Sequence, residues 1–388
     1  MLSTTDTAHV QRIRQDLPAT TAHIYLNTGT FGPLPTCMTQ AMQAHLQSQL
    51  EDGRIGLQSF ERLMNTYGQA RTRLARLLNA GESEIALTDN TGEGMNIVTY
   101  GLNWREGDEV ITTNHEHISA LAPLYQIRDR YGVTIRIADL GPKANAPLLD
   151  TITPLLTERT RLIILSHVTW TNGVVLDVSA VTRLGRERGI PVLIDGAQSV
   201  GNIRLDMKAL DVDFYAMPIQ KWLCGPDGNG ALYINSRSRH LIQPTYVGYM
   251  SVKHDPGIEW ALEDDARCFE LGGRQSAALA GQAAVLDWLE NTVGHDWLFP
   301  RILSLATYAY NALSNVPGLE MLTPEPGKSG LISFTLANKK DDELVKTLSE
   351  QHNILLRNIP SIHAIRISTG FYNTEEEIDT LVNALKSM

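Results

Sequence analysis

Only three cysteines, Cys37, Cys224 and Cys268, occur in 388 residues. They are too few and too scattered for a disulfide framework or a zinc site, and buried or half-buried thiols are expected instead. A basic excess is also missing. Thirty-three Lys and Arg stand against 43 Asp and Glu, a formal charge of −10, whereas a nucleic-acid partner demands a basic face. No apolar run reaches the length of a membrane span, and residues 1–20, with Asp6, Arg12, Arg14 and Asp16, lack the apolar core of a secretion signal. The expectation is a cytoplasmic protein without a nucleic-acid or membrane partner. Internal repeats and low-complexity segments are absent too. Asn114-His115-Glu116-His117 has the look of a metal cluster, but a helical ligand pair sits four apart and no third ligand is suggested nearby. No metal is expected.

What remains is ordinary soluble composition, 43% hydrophobic and 20% charged, in a chain long enough for two domains and a large core. Short apolar runs alternate with amphipathic segments from about Ile85 to Ile234, at 85–88, 109–112, 133–138, 161–166, 191–195, 212–216 and 231–234. Segments 121–131 and 179–188 carry apolar residues at helical spacing. Such alternation predicts an α/β fold with a mostly parallel, seven-stranded, doubly wound sheet and helices on both faces. After about Gln275 the pattern turns to long helical stretches, then strand candidates at 331–336, 353–356 and 364–368 and an N-capped helix from Thr374. The expected organisation is an N-terminal segment 1–20, a large domain 21–270 and a smaller α+β domain 271–388.

Chemistry first shows at two residues. Asp195 ends the apolar run Pro191-Val-Leu-Ile-Asp195, which places its carboxylate at the carboxyl edge of the sheet, where open α/β folds bind ligands. Lys221 follows the next strand-like run and precedes the glycine-rich stretch from Gly225-Pro226 to Gly230. Either residue alone reads as surface or cap. Together they are what a pyridoxal phosphate enzyme needs: an amine to condense with the cofactor aldehyde, and a fixed negative charge that keeps the pyridine nitrogen protonated. Thr91-Gly92-Glu93-Gly94 follows the strand 85–88 and opens a helical run, so its backbone amides could cradle the phosphate.

With the lysine in place, the order Asn27-Thr-Gly29, Thr91-Gly92, Glu116-His117, Ser166-His167, Asp195-Gly-Ala-Gln198 and Lys221 with Gly225-Pro226 resembles the class V aminotransferase family. These are fold-type I pyridoxal phosphate enzymes, and they include the cysteine desulfurases. The resemblance implies that Thr91 and Gly92 hold the phosphate and that His117 stacks on the ring. It implies that Asp195 pairs with the ring nitrogen, Gln198 bonds the phenolic oxygen and Lys221 forms the Schiff base. It also implies a homodimer, with the segment 246–274 crossing the interface. Ser166-His-Val-Thr-Trp-Thr-Asn-Gly173, Pro244-Thr-Tyr-Val-Gly248 and Cys268-Phe-Glu270 look closest to a cystine C–S lyase branch, as do Leu331-Ile-Ser-Phe-Thr335 and the pair Arg357 and Arg366. In that branch the two arginines fix the α-carboxylate of a small amino-acid substrate, for which a bidentate guanidinium suits best. Asn27, Gly29, Trp170 and Tyr246 complete the implied substrate set. His115 is read as structural and His167 as a core or supporting histidine.

The chain also departs from the family pattern. Pro218 and Gln220 stand where most relatives carry a hydroxyl residue and a histidine before the lysine. Gln220 can still donate to phosphate, but Pro218 has no donor. Gly273 stands where relatives often place a phosphate-binding threonine across the dimer interface. Phosphate binding is thus either weaker or compensated by Arg274 of a partner subunit. No cysteine follows Cys268, whereas a desulfurase needs a nucleophilic thiol in its C-terminal part. The expected reaction is therefore β-elimination to pyruvate, ammonia and a thiol or persulfide. A desulfurase, transaminase, epimerase or kynurenine hydrolase activity, or a non-catalytic binding scaffold, are the alternatives.

Overall fold

Long apolar runs buried on both faces form the centre of the molecule. The computed structural model describes residues 4–253 and 260–388. Seven strands form the large sheet: β1 (Ile85–Thr88), β2 (Glu109–Thr113), β3 (Thr134–Ala138), β4 (Thr160–Ser166), β5 (Val192–Asp195), β6 (Phe214–Pro218) and β7 (Gly230–Ile234). Their spatial order is β1-β7-β6-β5-β4-β2-β3. Only β7 runs antiparallel to its neighbours β1 and β6. The mostly parallel sheet expected from the alternation is present. The sixth strand starts two residues later than its apolar run and continues to Pro218, which pairs with Gly230.

Successive residues of each strand enter different cores. Ile163, Leu165, Ile194, Tyr215 and Met217 belong to one apolar cluster, and Leu162, Ile164, Leu193, Phe214 and Ala216 to another on the opposite face. This two-sided burial is why the strands read as continuous apolar runs and not as alternation. Helices cover both faces. Val178–Arg188 starts on the Asp177 cap, whose carboxylate accepts the Ala180 N–H at 3.0 Å. Ile118–Tyr131 starts three residues earlier than its periodicity suggests, because His117 is its N-cap. Helices Thr36–Asp52 and Leu57–Leu78 pack against Ser276–Trp288. Gly281 permits the close approach, since a Cβ there would lie 2.8 Å from Met42.

A four-stranded antiparallel sheet lies in the C-terminal part, in the order Arg357–Ile359, Ala364–Ser368, Leu331–Leu336 and Leu319–Met321. Its core holds Ile332, Phe334, Ile365, Ile367 and Leu381, together with Leu26 from the start of the chain. The strand expected at 353–356 is shorter than predicted, and a separate strand begins just beyond it. Ile354–Leu355 pairs with Ile24–Tyr25, and Arg357–Ile359 joins the four-stranded sheet. The terminal helix Glu375–Lys386 carries the predicted cap: Thr374 Oγ1 accepts the Glu377 N–H, and the Glu377 carboxylate accepts the Thr374 N–H. Capping boxes of this kind are worth about 1 kcal/mol.

Candidate active site

Strands β1, β2, β4, β5 and β6 all end at the same sheet edge, because the two antiparallel pairings of β7 cancel in direction. The turns that leave this edge enclose a cleft of about 270 Å³. Gly29, Thr91, Gly92, His117, Trp170, Asp195, Gln198, Gln220, Lys221, Arg357 and Arg366 line it together. Asn27, Tyr246, Gly273 and Arg274 do not. Asn27 stands two positions before Gly29, its side chain accepting the Thr30 hydroxyl at 2.7 Å. Tyr246 is 75% exposed, and the Gly273 N–H donates to Tyr249 at 2.7 Å. Arg274 is paired with Asp89 and Glu93 of its own chain.

Asp195 is the last residue of β5 and is buried, with Oδ1 accepting the Ala197 N–H at 2.8 Å. Burial pushes its carboxyl above the usual range, and the Ala197 amide and Lys221 oppose that rise. Lys221 sits in a turn closed by the Ile219–Asn229, Cys224–Lys221 and Gly225–Ile219 backbone bonds. Gly32 lies against this turn so closely that a Cβ would meet the Lys221 carbonyl at 2.2 Å. Burial lowers the Lys221 amine to about 8 against the attraction of Asp195, and Arg366 and Arg357 reinforce the fall. An amine so placed is partly neutral near physiological pH and is therefore a nucleophile and a base.

His117 Nδ1 accepts the Ser119 N–H at 3.2 Å, which leaves the proton on Nε2. The ring meets Trp170 edge-on, centroids 5.1 Å apart. Burial first, then Lys221, Arg357 and Arg366, push His117 down to about 4, so the imidazole is neutral. Behind it lies Glu116, to which the sequence reading assigned no role. Its buried carboxyl accepts the Thr113 and Ser166 hydroxyls, each at 2.6 Å, and burial raises it to about 7. A loop glutamate beside a histidine carries no local signal of burial. Gln198 is pinned at both ends, donating to Gly29 O at 2.8 Å and accepting from Trp222 at 3.0 Å.

Arg357 and Arg366 face each other directly across two antiparallel strands. Like charges so placed repel. Burial and Arg357 together push Arg366 down to about 9. Both guanidiniums reach toward Thr30 Oγ1, at 3.5 and 3.4 Å, and Arg366 also donates to Trp170 O at 2.6 Å. Sequence reasoning did not single out Thr30. The Arg366 Nε, the Trp170 Nε1 and the Gln220 Oε1 are buried without a partner. Three orphaned polar atoms and two opposed cations on one cleft fit an anionic guest that carries its own hydrogen-bonding groups. Thr91 and Gly92 begin the helix Thr91–Gly101, where amides have no intrahelical acceptor. The residues present thus suit a guest that carries both a phosphate and a carboxylate.

None of the three cysteines lines the cleft. Cys224 and Cys268 are buried and Cys37 is half-buried, as expected. Burial pushes the Cys37 thiol up to about 11 and also raises Cys224 and Cys268. The supporting histidines are structural. His115 bonds Thr171 and Gly141 O, and buried His167 bonds Tyr215 at 2.9 Å.

A model of the aminotransferase class-V family matches residues 24–381. A probable cysteine desulfurase of Methanothermobacter thermautotrophicus is 30% identical over 393 residues, covering 97% of each chain. An isopenicillin N epimerase of Streptomyces clavuligerus is 29% identical over 94% of each chain. Among solved structures, the cystine C–S lyase C-DES with its reaction product cysteine persulfide superposes with a TM-score of 0.92 at 30% identity, covering 96% of this chain and 99% of that one. A lysine-to-alanine variant of C-DES, with glycine linked covalently to its pyridoxal phosphate, gives a TM-score of 0.93 at 30% identity over 97% and 99%.

Proposed function

The chain belongs to the aminotransferase class-V family of pyridoxal phosphate enzymes, and on that premise we propose that it eliminates the β-sulfur group of a cystine- or cysteine-type L-amino acid. The products are pyruvate, ammonia and a thiol or persulfide. The observation that carries this reading is a single cleft lined by Lys221, Asp195 and the pair Arg357 and Arg366, with no cysteine in its lining.

Thr91, Gly92 and Gln220 would hold the cofactor's phosphate, His117 and Asp195 its ring, and Lys221 its aldehyde carbon. Bound there, pyridoxal phosphate supplies an electron sink for charge that develops at the substrate α-carbon. Arg357 and Arg366 clamp the α-carboxylate, which neutralises their mutual repulsion and fixes the α-C–H toward Lys221. The Lys221 amine, lowered to about 8, takes the α-proton. Asp195 would keep the ring nitrogen cationic, and neutral His117 would not compete for that charge. Sulfur departs with the electrons of the C–S bond, and water converts the remaining three-carbon enamine to pyruvate and ammonia. Protein-bound persulfide needs a thiolate, and all three thiols are held protonated by burial.

A homodimer is part of the same proposal. Leu50, Ile55, Leu57 and Phe60 expose apolar surface, as do Tyr246, Tyr249 and Trp260 from the segment expected to cross. Among the described residues, no helix is long and apolar enough to span a membrane.

The test is a panel of amino acids incubated with the purified holoenzyme, with pyruvate, sulfide, ammonia, amino-group exchange and loss of chirality assayed in parallel. Stoichiometric pyruvate from a sulfur amino acid supports elimination. Alanine with sulfide, amino exchange or racemisation without pyruvate would each replace it.

A further inference from the structure

We propose that Arg274 acts within its own chain as the charge shield of the phosphate-binding turn, cancelling two carboxylates that would otherwise repel the cofactor phosphate. The inference rests on the reading of Thr91-Gly92 as that turn. Asn90, Thr91 and Gly92 line the cleft, and Asp89 and Glu93 flank them on either side. The backbone draws both acids in: Asn90 Oδ1 accepts the Glu93 N–H at 2.9 Å, and the Glu93 carboxylate accepts the Asp89 N–H. Two carboxylates thus stand beside the turn that must hold a dianion, although neither lines the cleft itself.

Arg274 answers both acids at once. One guanidinium nitrogen pairs with Asp89 and the other with Glu93 at 3.0 Å, and the side chain is only 7% exposed. Glu93, at 24% exposed, matters more than Asp89, at 60%, because water screens Asp89. The neighbouring positions cannot take over. Pro218 has no N–H, Gln220 is neutral, Lys221 is committed to the aldehyde, and Arg357 and Arg366 are committed to the substrate carboxylate. The missing donors before the lysine are thus offset by charge compensation in cis and not by an arginine reaching across from the partner.

The effect of Arg274→Gln on cofactor affinity is read on purified enzyme, from pyridoxal phosphate loss on dilution and from reconstitution with pyridoxal phosphate or with pyridoxal, which lacks the phosphate. The expected result is about tenfold weaker pyridoxal phosphate binding at low ionic strength, the scale of one partly screened charge interaction. Added salt should narrow the gap, and pyridoxal binding should not change. Arg274→Lys should stay near wild type, and the triple variant Arg274→Gln, Asp89→Asn, Glu93→Gln should regain the lost affinity. Wild-type affinity in Arg274→Gln, or no recovery in the triple variant, overturns the shield. Equal loss for pyridoxal would make Arg274 a packing residue and also overturns it. Wild-type enzyme that binds pyridoxal as tightly as pyridoxal phosphate would instead overturn the phosphate turn itself, and the shield with it.

Discussion

Arg366→Met separates carboxylate recognition from everything else Arg366 does. The side chain is 1% exposed in an interior strand of the small sheet and opposes Arg357. At about 9, its guanidinium is still cationic at pH 7. Methionine keeps much of the length and apolar volume but removes the charge and the fork. A hydrogen bond to a charged group is worth about 1.5–3 kcal/mol. Losing about 3 kcal/mol from a bidentate carboxylate clamp corresponds to about a hundredfold fall in kcat/KM, at 1.4 kcal/mol per decade. Folding changes less, because the lost bond to Trp170 O, about 1.5–3 kcal/mol for a charged donor, is offset by relief of the repulsion from Arg357 and of the burial of a cation. The assay is thiol release from the best disulfide amino acid in the panel and from the same disulfide without its carboxylates, with melting temperature and cofactor absorbance as controls. A hundredfold loss for the amino acid, with little change for the decarboxylated analogue, supports the clamp. Unchanged kcat/KM, or an equal loss on both substrates, would refute it.

Asp195→Asn should fold and retain cofactor yet lower kcat at least ~100-fold, because a neutral amide cannot hold the ring nitrogen protonated; near wild-type turnover of the loaded variant would remove the electron-sink role. Replacing Cys37, Cys224 and Cys268 together by Ala should leave elimination largely intact after a packing cost of ~1 kcal/mol per buried site, whereas a folded, cofactor-loaded but inactive protein would revive sulfur transfer through a thiol. Glu116 should set part of the pH dependence of stability. Its carboxyl rises from 4.5 unfolded to about 7 folded, so its contribution is fully present below 4.5 and is lost as pH climbs through 7, by about 3 kcal/mol. Glu116→Gln should therefore flatten the wild-type decline between those limits in chemical denaturation, and parallel curves would exclude it. Sedimentation should find a dimer, and a fully active monomer would sink that expectation.

The large sheet was legible because its strands are buried on both faces, so that 162–165 and 192–194 are unbroken apolar runs that need no knowledge of their neighbours. Lys221 and Asp195 were legible for a related reason. Each follows such a run, and the carboxyl ends of parallel strands share one edge whatever their order. The Thr374 cap, too, is written within four residues. Local sequence therefore determined the fold class, the edge that carries the site and the cofactor chemistry it suits.

Register and strand order decided the rest. Arg357 and Arg366 are nine positions apart in the chain, and only the pairing of Arg357–Ile359 with Ala364–Ser368 sets them face to face. Glu116 is buried because the ends of β2 and β4 lie side by side and offer it two hydroxyls. Arg274 meets Asp89 and Glu93 across some 180 residues, and a local pattern gives no clue whether such a cation serves its own chain or a partner. A side chain's charge and reactivity depend on its surroundings in space, whereas periodicity in sequence reports only which face of an element is buried. The tertiary structure thus turned ordinary residues into an opposed cation pair, a buried acid and an arginine that bridges two carboxylates.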